Sequence, residues 1–371
     1  MKPTRWLGTA LSVLALILDV VTARAADMPT PREADWVVKD FKFHTGETVP
    51  ELRLHYTTLG EPEGEPVLIL HGTGQSGTAM LNPIFAGELF GPGQALDAAR
   101  YYIILPDAIG AGQSSRPSDG LRMKFPVYNY DDMVEAQHRL ISEHLGIRHL
   151  RLVLGNSMGG MQTWMWAGKY PDMMDVAVPM ASLPTAMSGR NWILRRMLTE
   201  SIRTDPEWMG GRYTKQPRSL HFASVFYGMA TSGGSQGLFK RAPTREAADA
   251  LLAQSLAKPV AEDANDFLYQ WESSADYDPS PGLGRIKATV LAINSTDDER
   301  NPPELGVLDA EVRRIAHGRV FMIPGGPDTF GHATTFYARF WKKNLAELME
   351  SAPRLGVEPR PGPVTGAGAA R

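Results

Sequence analysis

The sequence predicts an α/β fold: a mostly parallel, doubly wound sheet with an inserted helical cap. Three observations carry that expectation. Short continuous apolar runs recur at Val67–Leu70, Tyr101–Leu105, Leu150–Leu154, Val176–Met180, Thr289–Ile293 and Val320–Ile323, as in strands buried on both faces. Amphipathic stretches of helix length accompany them, notably Asp131–Leu145, Met158–Lys169, Pro303–Ala316 and Thr334–Glu350, and that alternation builds parallel β-α-β units. One interval, Ser182 to Lys287, separates two consecutive strands by about a hundred residues, where a crossover needs only one helix.

Taken in order, the chain divides as follows. Lys2 and Arg5 precede an apolar run from Trp6 to Val21, and Ala23-Arg24-Ala25 follows; charge, short apolar stretch and small residues are the three parts of a secretory signal. Residues 1–25 are therefore expected to be removed on export to the periplasm or medium, leaving no membrane anchor. Trp36–Phe43 and Glu51–Leu59 alternate about Thr45-Gly46-Glu47, which predicts an antiparallel hairpin. Residues 26–181 and 288–351 would form the core and 182–287 the cap. Met187, Trp192, Met197, Trp208, Phe222, Phe226, Tyr227, Met229 and Trp271 are expected mainly as the cap's own core, and the cap is the surface through which two copies would pair. Residues 352–371, rich in Pro, Gly and Ala, read as a disordered tail.

Composition narrows the chemistry. The 371 residues are 43% hydrophobic and 21% charged, enough for a sizeable core. Lys and Arg total 38 against 41 Asp and Glu, which leaves no basic excess to engage a nucleic acid. Cysteine is absent, removing disulfides, thiolate ligands and a thiol nucleophile together. The nine histidines show no paired metal-binding spacing, so neither metal nor cofactor is expected.

The strongest functional signal is Gly155-Asn156-Ser157-Met158-Gly159, which follows an expected strand and opens an expected helix. Gly-x-Ser-x-Gly alone occurs by chance, but in this setting it reads as a nucleophile elbow, with glycines where neighbouring backbones leave no room for a Cβ. The following helix would aim its N-terminus at Ser157, making the Met158 amide one oxyanion donor. A second donor is expected from His71-Gly72-Thr73-Gly74 after the first parallel strand, at Thr73. His71 is expected to brace backbone rather than act as base. An acid and a base should then follow in that order. Asp297-Asp298 lie after Thr289–Ile293, and His332 lies after Val320–Ile323, next to Gly331 and at the opening of the final helix. Spacing alone leaves Asp297 and Asp298 both open.

Further stretches carry a family resemblance. Phe125-Pro126, Asp132 to Gln137, Leu145-Gly146-Ile147, Gly155 to Gln162, Tyr170-Pro171, Asp205-Pro206-Glu207-Trp208, Gly211 and Tyr213 resemble the homoserine O-acetyltransferase-like branch of the α/β-hydrolases, over most of residues 40–350. The resemblance implies the α/β-hydrolase fold and a Ser-Asp-His triad. It favours Asp298 as acid, because Asp298 precedes Pro302 at the family's spacing, and His332 as base. Three departures bear on the reaction. The family's cap arginine, which grips a substrate carboxylate, is replaced by Thr199, with Arg195, Arg196 and Arg203 nearby. The aspartate that follows its histidine, which meets the substrate amine, is Ala333. Pro106 to Ser115 looks more like esterases and lactonases. An exported enzyme would also lack cytosolic acyl-CoA. The expectation is therefore a serine hydrolase cleaving a small carboxylic ester or lactone, with homoserine acyl transfer as the alternative.

Overall fold

In a computed structural model, residues 29–260 and 262–356 are described; the expected signal segment and most of the tail lie outside them. The alternating N-terminal segments form an antiparallel hairpin, β1 (Arg32–Lys42) and β2 (Thr48–Leu59). The apolar runs become β3 (Glu65–Leu70), β4 (Tyr101–Pro106), β5 (Leu150–Asn156), β6 (Met174–Met180), β7 (Thr289–Ser295) and β8 (Gly318–Ile323). Together they make one eight-stranded sheet in the order β1-β2-β4-β3-β5-β6-β7-β8. The β1/β2 and β2/β4 pairs are antiparallel, and all later pairs are parallel.

Alternate residues of each central strand serve opposite cores. Val67 and Ile69 of β3 join a layer with Phe85, Phe90 and Trp341, whereas Leu68 and Leu70 join Trp164 and Trp166. Both faces are thus dry, which explains why these strands read as unbroken apolar runs. Chain order reverses at β3, which has β4 on one side and β5 on the other. At such a switch point the loops leaving the two strands diverge and open a crevice.

The helices begin with a single turn, α1 (Ala86–Leu89). Helix α2 (Tyr130–Arg139) starts from an Asn129–Asp132 capping box and continues as a wider turn over Leu140–His144. Helix α3 (Met158–Lys169) follows β5 directly. Between β6 and β7 come α4 (Gly189–Arg203), α5 (Arg218–Thr231), α6 (Ser235–Arg241), α7 (Arg245–Leu256) and α8 (Ala264–Glu272). Of these, α4, α5 and α8 share a cluster containing Leu198, Ile202, Tyr227, Phe267, Leu268 and Trp271. The cap aromatics and methionines divide: Tyr227 and Trp271 are core, whereas Met197, Phe222 and Phe226 are exposed.

Two expected helices are shorter than their apolar periodicity suggested. After a 3₁₀ turn at Pro303–Leu305, Gly306 adopts φ 64°, and only α9 (Val307–Val312) is α-helical. The final stretch begins as 3₁₀ turns over Gly331–Phe336 and Ala338–Phe340, so α10 spans only Lys342–Ser351. Side chains divert the groups that an α-helix would use. Thr334 Oγ1 accepts the Phe330 amide at 2.8 Å, and the Thr335 carbonyl accepts the Trp341 indole at 2.8 Å. His332 consequently sits in a 3₁₀ turn, ten residues before the final helix. Beyond α10, Ala352 remains buried and Arg354 pairs with Glu65 at 2.6 Å, so the chain stays docked past 351.

Candidate active site

Ser157 occupies the one-residue turn between β5 and α3, with φ 57° and ψ −112°. A non-glycine residue in that region is strained, and its surroundings must hold it there. They do so through close packing. A Cβ on Gly155 would lie 2.1 Å from the Gly159 carbonyl oxygen, and one on Gly159 would lie 2.1 Å from that of Leu70. The Ser157 amide is fixed by the Met180 carbonyl at 2.9 Å.

The structure brings Ser157, His332 and Asp298 together. His332 Nε2 lies 2.8 Å from Ser157 Oγ, and Nδ1 lies 2.9 and 3.0 Å from the two Asp298 oxygens. All three residues are buried. Burial lowers the His332 pKa, the positive charge of Arg300 lowers it further, and Asp298 opposes both. Burial alone would raise Asp298, but His332, the Asn301 side chain and the Arg300 amide hold it below its ordinary value. Asp297 faces elsewhere. It accepts hydrogen bonds from Ser295 and Thr329 (the latter at 2.6 Å) and from the Gly331 amide at 3.3 Å, bracing the loop that carries His332.

The loop after β3 passes beside the serine: a Cβ on Gly72 would sit 3.6 Å from Ser157 Cβ. His71 is a brace, with Nδ1 2.8 Å from the Gly72 carbonyl and Nε2 accepting the Ala108 amide at 3.0 Å. Gln75 takes the Gly72 amide at 3.1 Å, and Gln270 of α8 takes the Gly74 amide at 2.9 Å. The Thr73 amide between them has no partner among the described residues, and the buried Thr73 hydroxyl has none either. The Met158 amide is the first of the unpaired donors at the start of α3.

Several residues here carry no sequence signal of their own. Asn301 donates to Asp298 at 2.9 Å and to the Ala181 carbonyl at 2.9 Å, tying the carboxylate to the end of β6. Gln270 also donates to the Gly110 carbonyl at 2.5 Å. Of the three arginines near Thr199, Arg203 pairs with Glu272, Arg196 pairs with Glu200 and Glu272, and only Arg195 is buried. A cavity of about 570 Å³ lies among the cap helices, lined by Met229, Ser232 and Glu262 among others, and meets the core at Gly74. No three His, Asp or Glu side chains among the described residues cluster as metal ligands.

The sheet order and the strained strand-to-helix serine are those of the α/β hydrolases. A model of the alpha/beta hydrolase fold family matches residues 65–330, and the chain belongs to that family, in its homoserine O-acetyltransferase-like branch. Among its relatives is a probable acyltransferase of Methanothermobacter thermautotrophicus, 28% identical over 279 residues, covering 73% of this chain and 84% of that one. A homoserine O-acetyltransferase of Haloferax prahovense is 30% identical over 309 residues, covering 70% of this chain and 73% of its own. An acetylester hydrolase structure from Corynebacterium glutamicum superimposes with a TM-score of 0.73 at 25% identity, covering 86% of this chain and 96% of that one.

Proposed function

We propose that this protein is a serine acyl-transfer enzyme acting on a small carboxylic ester through an acyl-Ser157 intermediate. The hydrogen-bonded run from Ser157 Oγ through His332 to Asp298 carries the reading. Ser157 Oγ attacks the acyl carbonyl, and His332 Nε2 takes its proton and returns it to the leaving oxygen. Asp298 fixes the tautomer with the proton on Nδ1 and steadies the imidazolium. The amides of Thr73 and Met158 receive the developing oxyanion, each such donor being worth roughly 3–4 kcal/mol in a comparable site.

The acyl group then passes to a second oxygen, and here the observations divide. The names of the relatives favour an alcohol acceptor, as in homoserine O-acetyltransfer. Thr199 and Ala333, where the resemblance places the substrate-gripping charges, favour water. Partitioning decides between them. With p-nitrophenyl acetate as donor, with and without millimolar homoserine, O-acetyl-homoserine and free acetate are both quantified. Dominant ester product establishes the transferase, and dominant acetate the hydrolase. Ser157→Ala should lose at least about 10³-fold in either reaction. Undiminished turnover in that variant would overturn the acyl-enzyme mechanism itself.

A further inference from the structure

Two cavities meet at one side chain. The cavity of about 570 Å³ among the cap helices presents Val225, Met229, Leu238, Leu251 and Val260, an apolar set. A second cavity, of about 440 Å³, lies where α8 faces the loops leaving β3 and β4. Its lining is polar, with Gln75, Ser76, Arg116, Ser118, Asp266 and Gln270. Gly74 and Glu262 line both cavities, so the wall between them stands where these two residues touch.

That contact is close. A Cβ on Gly74 would lie 2.6 Å from Glu262 Oε1, so the carboxylate fills the space that a side chain at position 74 would need. The backbone half of the wall is fixed, because Gln270 holds the Gly74 amide at 2.9 Å. The Glu262 half has no such tether. No hydrogen bond or ion pair among the described residues engages its carboxylate, and the charged group that acts on it is Asp266, of like sign. A carboxylate drawn out of water without a partner is costly. An acid kept in a cleft on those terms is a candidate for a functional task.

The wall stands beside the reacting carbonyl. Thr73, the proposed oxyanion donor, immediately precedes Gly74. An ester whose oxygen accepts from the Thr73 amide at about 2.9 Å has its arms leaving from beside Gly74. An arm directed over Gly74 meets Glu262 first and the apolar cap cavity only beyond it. We infer that Glu262 is a specificity-determining residue: by closing the cap cavity against the oxyanion loop, it restricts the enzyme to esters whose arm over Gly74 is short. A longer alkyl chain would press its methylenes against an unpaired carboxylate, whereas with that side chain gone each methylene would gain apolar burial. The inference rests on acyl transfer at Ser157 and adds to it the substrate class and the residue that sets it.

The test follows kcat/KM along two series, p-nitrophenyl alkanoates from acetate to octanoate and alkyl acetates from ethyl to octyl, so that each arm is lengthened alone. Glu262→Ala should raise the long-to-short ratio at least tenfold in one series only, roughly the gain from two buried methylenes. Glu262→Gln keeps the shape and removes the charge; it should raise the same ratio by a smaller factor, and it carries the test if the alanine variant does not fold. Adding Met229→Trp to Glu262→Ala refills the cap cavity and should return the ratio toward the wild-type value. A ratio that neither Glu262 variant moves, one raised equally in both series, or a gain that survives Met229→Trp overturns the proposal while acyl transfer stands. Failure of the wild type to turn over any ester in either series would refute acyl transfer itself, and the proposal with it.

Discussion

Adjacent aspartates with different tasks show how much one residue decides. Asp298 faces His332, while Asp297 ties Ser295, Thr329 and Gly331. Asp298→Asn should lower kcat by about 10⁴, the effect of the wrong tautomer in a comparable triad. Asp297→Asn should mainly lower the melting temperature; a larger kcat loss in Asp297→Asn than in Asp298→Asn would reverse the roles. The base must be neutral to act, so kcat/KM rises with pH through the His332 pKa, which lies below the ordinary imidazole value. Arg300 is one cause of that lowering, so Arg300→Gln should move the acid limb of the profile to higher pH; an unmoved limb would show that the guanidinium charge does not reach the ring. Sequence distinguished Asp298 from Asp297 only through the family resemblance, in which the acid precedes a proline as Asp298 precedes Pro302. Arg300 was illegible, because an arginine in a polar loop is usually solvated, and its place here depends on Tyr227, more than seventy residues earlier in the chain.

At the scale of elements, a backbone-to-backbone constraint lies where α3 crosses β3. Gly159→Ala would force its methyl against the Leu70 backbone oxygen, and backbone cannot swing aside as a side chain can. Overpacking of this kind costs about 1–3 kcal/mol or more, so this variant should melt several degrees lower. A wild-type melting temperature would mean that helix and strand separate more freely than this contact implies. The same burial made the strands readable, since an element dry on both faces must be apolar throughout. The segment after His332 failed as a helix expectation for a related reason. Its apolar spacing reflects packing onto the sheet, but Thr334, Thr335 and the Trp341 indole take the backbone into 3₁₀ turns. Periodicity reports which side is buried, and side-chain hydrogen bonds decide how the backbone gets there.

For the molecule as a whole, the seam between cap and core carries a titratable load. Burial, aided by Asp266, raises the Glu262 pKa to about 7. A carboxyl raised in the folded state contributes stability that is present below its unfolded value of 4.5 and lost as pH rises through about 7. Glu262→Gln should therefore melt higher than wild type at pH 8, by at most roughly 3 kcal/mol, with the difference vanishing near pH 4; a constant difference across that range would exclude titration as its cause. Beside Glu262, Gln270 grips the Gly74 amide with its oxygen and the Gly110 carbonyl with its nitrogen. These loops leave β3 and β4, whereas Gln270 belongs to the cap, so one side-chain amide joins three separate stretches of chain. Gln270→Ala would remove both attachments of α8 to these loops at once. On the proposed reading, in which the Thr73 amide is an oxyanion donor, the seat of α8 and the aim of that donor are set by the same side chain.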